Sequence, residues 1–577
     1  MEPTPTTHDL PVRRGDFGSL PEALDYAAGG RTGFNFYSAR GELAHVLTYA
    51  ELQARAVAVG RGLVAAGLPP LSRVVLLADT DPDFLILFMA CQYAGLLAVP
   101  VSLPTTLGGH EAYVAGLRRQ LEGSGALAAA APAELLGLLR EAADGLPLRL
   151  VGAPADFYAL PAGAADPRPF GAGDPSYLQF SSGSTRFPLG VDIRQRAMIA
   201  NVRAMVGAGV ACEIGDRGIS WLPLYHDMGL VGFVLGPLLH QGSVDLIPTR
   251  DFARRPLVWL SVMSRNRATV SFSPSFGYEL AVQRAVGEAA ASLDLGCWRI
   301  AGIGGDMIQA PVLERFAATF APAGFRASAF VPSYGMAEAT LGVSFAPLGR
   351  GVAVDHVDRD RLAEDNAAVP ADPASPQARG FVRCGQALPG HRVEIRGEDG
   401  SVLPERRLGR VFFHGPSVMA GYFGEPEATA RVLDAEGWLD TGDLGYLVEG
   451  EVVITGRSKD LIIVNGRNIW PQDVEWAVEA MPGLRRGDVA AFSLDDPAAG
   501  ERLVLLVQCR EQDPERRAAL VREVEGLVRR TVAVEPRVVL IPARGLPHTS
   551  SGKLSRSRAR ANYLSGVYGE APLAAAG

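Results

Sequence analysis

Apolar runs of strand length alternate along this chain with segments of helical pattern, and that alternation limits the possible folds more than any other feature. Val74-Val75-Leu76-Leu77 and Val244-Asp245-Leu246-Ile247 read as strands, while Tyr49 to Ala66 and Val312 to Phe320 read as helices. Strands apolar along their whole length need cover on both faces, and intervening helices supply it. An α/β architecture with largely parallel sheets is therefore expected. With 577 residues the chain exceeds one hydrophobic core, so two or more domains are expected. A turn-rich stretch from Gly380 to Gly421 reads as a compact β-rich subdomain of the first. From Asp460 the pattern restarts, with strands at Leu461 to Val464 and Leu503 to Gln508 and helices at Gln472 to Met481 and Glu515 to Arg530. The last stretch of about 115 residues reads as a small separate α+β domain. The expected division is 1–458 and 459–577.

Phe84 to Leu103 is apolar enough to suggest a membrane span, but Gln92, Gly95 and Pro100 interrupt it. A buried helix running into a strand at Leu96 to Val101 is expected instead, and no membrane span. The formal charge of −8 lacks the basic excess of a general nucleic-acid or anionic-membrane binder, which leaves small molecules and proteins as partners. Cys91, Cys212, Cys297, Cys384 and Cys509 are scattered without paired spacing, so neither a disulfide framework nor a zinc site is indicated. Met1 to Pro11 is polar and carries no apolar secretory core. Both features fit a cytoplasmic location.

Residues 180 to 190 read Phe-Ser-Ser-Gly-Ser-Thr-Arg-Phe-Pro-Leu-Gly and follow a strand-like Ser176 to Gln179. Hydroxyls on Ser181, Ser182, Ser184 and Thr185 and the backbone at Gly183 offer neutral donors that can wrap a polyphosphate. A Ser/Gly-rich surface turn has the same composition, so the loop alone decides nothing. Further segments follow in order: Trp221-Leu222-Pro223-Leu224-Tyr225-His226-Asp227-Met228-Gly229, Pro332-Ser333-Tyr334-Gly335-Met336-Ala337-Glu338 and Trp438-Leu439-Asp440-Thr441-Gly442-Asp443. Gly456-Arg457-Ser458-Lys459-Asp460 and Ser550-Ser551-Gly552-Lys553 complete the series. Together they resemble the adenylate-forming superfamily of acyl-CoA synthetases, peptide-synthetase adenylation domains and luciferases, along nearly the whole chain.

The resemblance implies formation of an acyl-adenylate from a carboxylic acid and ATP, with Mg²⁺. A carboxylate with a pKa of about 4 to 5 is already ionised at neutral pH, so no general base is needed. The difficulty is electrostatic, because an anion must attack the α-phosphorus of a polyanion. Lys553 matches the family's catalytic lysine. Glu338 matches the acidic residue for Mg²⁺ and phosphates. Asp443 matches the carboxylate that takes the ribose hydroxyls, and Arg457 contacts ribose or phosphate. Tyr334, followed by Gly335 and Met336, would hold adenine against Gly304, Gly305 and Asp306. His226 joins the catalytic set, and the acyl group would run past His226 and Met228 into a tunnel lined from Ser271 to Leu280 by Phe276 and Tyr278. Lys459 matches the hinge. Where most members have lysine and glycine, this chain has Leu189 and Arg186, which removes a point charge from the phosphates.

Leu178-Gln179-Phe180, Tyr225 to Leu230, Ser333 to Thr340 and Gly466-Arg467-Asn468-Ile469-Trp470-Pro471 resemble fatty acyl-AMP ligases in particular. About 45 residues separate Glu338 from Cys384, more than a simple connection needs. In those ligases a segment inserted here packs against the domain junction and hinders use of coenzyme A. The implied second step is acyl transfer to the phosphopantetheine thiol of an acyl carrier protein acting in trans. The basic run Lys553 to Arg560 offers a docking patch for an acidic carrier. An acyl- or aryl-CoA synthetase and a weakly active nucleotide-binding scaffold, the latter suggested by Leu189, are the other two readings.

Overall fold

The computed structural model describes residues 2–7, 10–104, 109–161, 166–180, 188–285, 292–464, 467–496, 500–549 and 553–569. Its largest sheet has nine strands, in the order Gln386–Ala387, Gly342–Phe345, Phe330–Gly335, Ile300–Ile303, Val270–Ser273, Arg217–Ser220, Ser243–Leu246, Gly33–Tyr37 and Leu43–Thr48. The six inner strands from Phe330–Gly335 to Gly33–Tyr37 run parallel, and antiparallel strands close both edges. A second sheet of seven strands has the parallel set Pro175–Phe180, Leu97–Val101, Arg73–Leu77, Ala126–Ala130 and Leu150–Gly152, with Gly190–Arg194 and Gly421–Tyr422 antiparallel at one edge. The expected α/β class and parallel-rich sheets are what the chain adopts.

The apolar segment near residue 90 shows how local sequence sets these elements. Asp81 caps the helix Pro82–Ala94, its Oδ1 accepting the Phe84 N–H at 2.8 Å, and Pro82 suits the first turn because that N–H needs no partner. Every residue from Phe84 to Ala94 is buried, so no polar stripe is required. Gly95 ends the helix at φ 67°, where a side chain would be strained, and Leu97–Val101 follows as a fully buried strand. Among the described residues no helix is long and apolar enough to cross a membrane.

Arg392–Arg396, Gly409–His414, Leu439–Val448 and Glu451–Arg457 form a four-stranded antiparallel sheet; the expected β-rich stretch Gly380 to Gly421 gives its first two strands to it and its other strand residues to neighbouring sheets. Beyond Asp460 a strand pair, Ile462–Val464 with Arg467–Ile469, and a three-stranded sheet, Val489–Asp496, Gly500–Cys509 and Arg537–Pro542, pack with the helices Pro471–Glu479, Pro514–Val532 and Arg556–Leu564. Two apolar clusters there, around Val474 and Leu505 and around Phe492 and Tyr563, draw on no residue before Ile462.

The segment between Glu338 and Cys384 is structured. Strand Val354–Asp358, helix Arg359–Asp365 and strand Ala378–Val382 form a small unit whose Val357, Leu362 and Phe381 share a core with Tyr446 and Trp470. Trp470 belongs to the C-terminal region, so this core spans the junction. Arg379 pairs with Asp473 at 2.7 Å while its guanidinium lies 4.2 Å from the Phe381 ring and 4.4 Å from that of Trp470. Arg467 adds ion pairs to Asp360 and Glu364.

Candidate active site

In parallel sheets, ligands sit at the carboxyl ends of the strands, where loops diverge and helix starts face the gap. Here three motif segments leave strands at that edge. Gly304 and Gly305 follow Ile300–Ile303, Tyr334 and Gly335 end Phe330–Gly335, and Trp221 to His226 follow Arg217–Ser220. One cavity joins them, walled by His226, Met228, Gly305, Tyr334, Glu338 and Lys553 among others, with Gly304, Gly335, Met336 and Arg457 on the same wall.

Asp443 is not itself on the wall and stands behind Tyr334 and Arg457, which are. It is the register partner of Arg457 across an antiparallel pair, which brings Arg457 Nε to 3.2 Å from its Oδ1. Tyr334 donates its hydroxyl to Asp443 Oδ2 at 2.6 Å. Each carboxylate oxygen keeps a further lone pair, so Asp443 can still accept hydroxyl groups. Glu338 lies in the short turn Ala337–Ala339, its carbonyl accepting the Met419 N–H and its Oε1 the Tyr422 hydroxyl, both at 2.9 Å. Burial pushes its carboxyl above the usual glutamate range, with Tyr422 and Arg457 opposing. A cation would relieve that cost. Among the described residues no cluster of three metal ligands exists, and a lone carboxylate suits Mg²⁺, which keeps waters and phosphate oxygens around it.

His226 Nδ1 lies 2.5 Å from Asp227 Oδ1, which also accepts the Met228 N–H at 2.7 Å. Burial alone would raise the Asp227 carboxyl, but His226 and then Lys553 outweigh it and hold the group below the usual range. Lys553 thus reaches the cavity from the C-terminal region. Thr549 donates its N–H to the Lys553 carbonyl at 2.7 Å and so ties the lysine's backbone in place. Three residues on, Arg556 binds both Glu475 oxygens at 2.8 and 2.6 Å and Asp460 at 3.1 Å. Asp460 adjoins Lys459, so one guanidinium ties the lysine loop to the expected hinge. Arg556 is enclosed by these partners, which removes it from the expected carrier-docking patch.

Other expected positions lie elsewhere than the sequence suggests. Ser181, Ser182, Gly183, Ser184 and Thr185 fall outside the described residues. Asp306 is exposed and off the cavity wall, its Oδ1 accepting the Met307 N–H. Phe276 is 36% exposed and meets Trp221 edge-on, and Tyr278 is 0% exposed among Trp259, Trp298, Phe316 and Phe330. Neither lines the cavity. Of Ser271 to Leu280 only Phe272 is on the wall, joined by Val270 just before the segment, because strand side chains alternate: Ser271 faces the other way and donates to the Ile219 carbonyl. Asp227, Tyr422 and the apolar wall residues Met205, Phe233 and Phe345 had not been singled out. Asp227 was visible beside His226, whereas the others come together only in the fold.

A family model described as AMP-binding enzyme matches residues 36–423. The chain belongs to the AMP-binding enzyme family. It is 53% identical over 571 residues to a Caulobacter vibrioides protein with a provisional acyl-CoA synthetase name, covering 98% of this chain and 99% of that one. It is 32% identical to the long-chain-fatty-acid–AMP ligase FadD32 of Mycolicibacterium smegmatis, over 92% of this chain and 91% of the other. A solved structure from work on fatty acyl-adenylate ligases of E. coli and L. pneumophila matches with a TM-score of 0.92 and 43% identity, covering 97% of this chain and 100% of that one. Alike in sequence and fold over its full length, this AMP-binding enzyme is an acyl-adenylate-forming ligase.

Proposed function

We propose that this AMP-binding enzyme activates a fatty acid with ATP and passes the acyl group to the phosphopantetheine thiol of an acyl carrier protein in trans. The observation that carries the reading is one cavity lined both by the motif residues Gly304, Gly305, Tyr334 to Glu338 and Arg457 and by apolar side chains, with Lys553 on its wall. In the first step a carboxylate oxygen attacks the α-phosphorus and the bond to the β-phosphate oxygen breaks, releasing pyrophosphate. In the second the thiol sulfur attacks the acyl carbon and AMP leaves. Lys553 offsets the charge where carboxylate and α-phosphate meet. Asp443 and Arg457 hold the ribose, Tyr334 with Gly335, Met336, Gly304 and Gly305 holds adenine, and the loop from Ser181 to Thr185 wraps the phosphates. Glu338 would hold Mg²⁺, which neutralises phosphate charge when bound. His226, oriented by Asp227, and Met228 border the acid's carboxyl end.

Residues 1–458 and 459–577 act as two domains in this reading, with Lys459 as the hinge that carries Lys553 in and out. A cytoplasmic location, where ATP and holo carriers coexist, goes with it. In this reading the contacts of Arg379, Asp473 and Trp470 hold the small domain with Lys553 at the cavity and so disfavour the rearrangement that free coenzyme A would need. Acid-dependent ATP–pyrophosphate exchange, followed by offering coenzyme A or a holo carrier protein, tests the proposal. Acyl-carrier product with little acyl-CoA is expected. Efficient acyl-CoA formation would make the chain an acyl-CoA synthetase, and no exchange with any acid would make it a scaffold.

A further inference from the structure

Past the reacting end the cavity continues along the face of the nine-stranded sheet, so its depth can be counted in strand residues. Arg217–Ser220, Val270–Ser273 and Ile300–Ile303 are parallel and in register, with Gly218 beside Val270 and Val270 beside Ile300. The wall includes Gly304 just beyond the carboxyl ends of this set, Phe272 part-way down, and Val270 and Gly218 near the other edge. About four residue steps separate those levels, and at roughly 3.3 Å per step the tunnel is about 13 Å deep. Carbon–carbon bonds of about 1.5 Å advance a zigzag chain by roughly 1.25 Å per atom, so this depth accepts about ten carbons.

The far end is polar. Asp216 accepts the Thr269 hydroxyl at 2.6 Å and pairs with Arg299, and Ser243 donates to the Pro5 carbonyl at 2.6 Å. Both residues line the cavity together with His240. A methyl terminus pushed among these groups would strip water from them without replacing their hydrogen bonds, a penalty that grows once the chain outruns the apolar wall.

Two glycines keep the bore open. Gly218 lies inside a strand with neighbours on both sides, where glycine marks close approach of another group. A Cβ there would stand 3.6 Å from Phe233 Cδ1 and 3.2 Å from Val244 Cγ2, close enough that the valine side chain must shift by a few tenths of an ångström. At Gly232, nearer the reacting end, a Cβ would meet only Leu341 Cδ2 at 3.6 Å. Neither glycine has a positive φ, so the backbone tolerates larger residues at both positions. Both glycines line the cavity, so added side-chain volume at either narrows it.

Resting on the ligase reading above, we infer that the tunnel measures its acid: unbranched acids of about ten carbons fit, and Gly218 sets that length. The test is kcat/KM for adenylate formation, by pyrophosphate release, across straight-chain acids from short to long, for the wild type, Gly218→Leu and Gly232→Leu. Wild-type kcat/KM should climb to about ten carbons and fall beyond. Gly218→Leu should lose more than roughly 10-fold with decanoate and change little with hexanoate, since a methylene in an apolar pocket is worth about 10-fold or more. Gly232→Leu, higher in the tunnel, should cut off at a still shorter acid. An equal loss for every acid, an unchanged length profile or the reverse order of the two variants would overturn the inference, as would a wild-type optimum at the shortest or longest acids. Should a leucine variant not fold, Gly218→Ala must still move the optimum to a shorter acid. Wild-type enzyme inactive with every acid overturns the ligase reading itself.

Discussion

At the end of the cavity proposed for the nucleotide the wall comes from short contiguous motifs, Gly304 with Gly305, Tyr334 to Glu338 and Arg457, which Asp443 backs across a strand pair. At the tunnel end, Met205, Gly218, Phe233, Phe272 and Phe345 arrive from five separate elements. The reason is chemical. Charge must be met by particular donors and acceptors at fixed spacing, which a loop at a strand end can supply by itself. An apolar bore needs only volume and shape, and any combination of side chains that leaves the right gap will serve. The two ends should therefore respond differently to substitution: single residues at the nucleotide end control rate, and single residues at the tunnel end control choice.

Lys553→Ala tests the first half most severely. Removing one preorganised charge from the reacting centre is expected to lower adenylate formation by roughly 10²–10³-fold, with nucleotide binding retained. Pyrophosphate exchange and ATP binding, measured together, check this. Wild-type exchange rates in the variant would remove the lysine from the reaction. The loss should be the same for every acid length, because Lys553 stands above the tunnel.

Glu338→Gln comes next. About 10- to 100-fold weaker use of Mg²⁺-ATP is expected, the scale for loss of a metal-positioning group. The pH dependence gives a sign. Burial raises the Glu338 carboxyl, so as pH falls its charge is lost earlier than that of an ordinary glutamate, and KM for ATP should rise on the acid side. In Glu338→Gln that rise should flatten. If it persists, another group titrates.

The legibility of the sequence follows the same divide. Strand runs such as Val74 to Leu77, the buried helix near Phe88 and the wall residues Gly304, Gly305, Tyr334, Gly335, Met336 and Arg457 can be read directly, because each depends on neighbours in sequence. Asp306 was misplaced because Gly305 takes a positive φ of 79° and the chain turns away after it. Of the expected tunnel segment Ser271 to Leu280 only Phe272 lines the cavity, and neither Phe276 nor Tyr278 does. Proximity to a motif cannot say which face of Val270–Ser273 or of the following helix is turned inward; cross-strand partners decide that. The junction was legible only as surplus length, and Arg379 between Phe381 and Trp470 emerges from packing alone.

That junction completes the nucleotide end from outside the tunnel, so it offers a smaller test. Arg379→Ala leaves the buried Asp473 without its direct ion-pair partner and with only the more weakly acting Arg359, which should weaken the docked arrangement by up to about 3 kcal/mol. Alternative arrangements of the small domain then become populated. A several-fold rise in acyl-CoA yield is expected, with adenylation and acid-length preference unchanged. A changed length preference would mean that the junction reaches the tunnel and that the two ends are not independent.

The smallest effect is expected at Tyr278, which the sequence places in the tunnel and the structure places in the core. Its hydroxyl donates to the Gly302 carbonyl at 3.0 Å, and its ring is packed among Trp259, Trp298, Phe316 and Phe330. Tyr278→Phe keeps the ring contacts and removes one buried hydrogen bond, at a cost of about 1 kcal/mol. Thermal unfolding should register that loss. The profile of kcat/KM against acid length should match the wild type at every length, since no atom of Tyr278 bounds the bore. A shift in preferred length with normal stability would return Tyr278 to the tunnel wall and place the acyl chain on the opposite face of the strand Val270–Ser273.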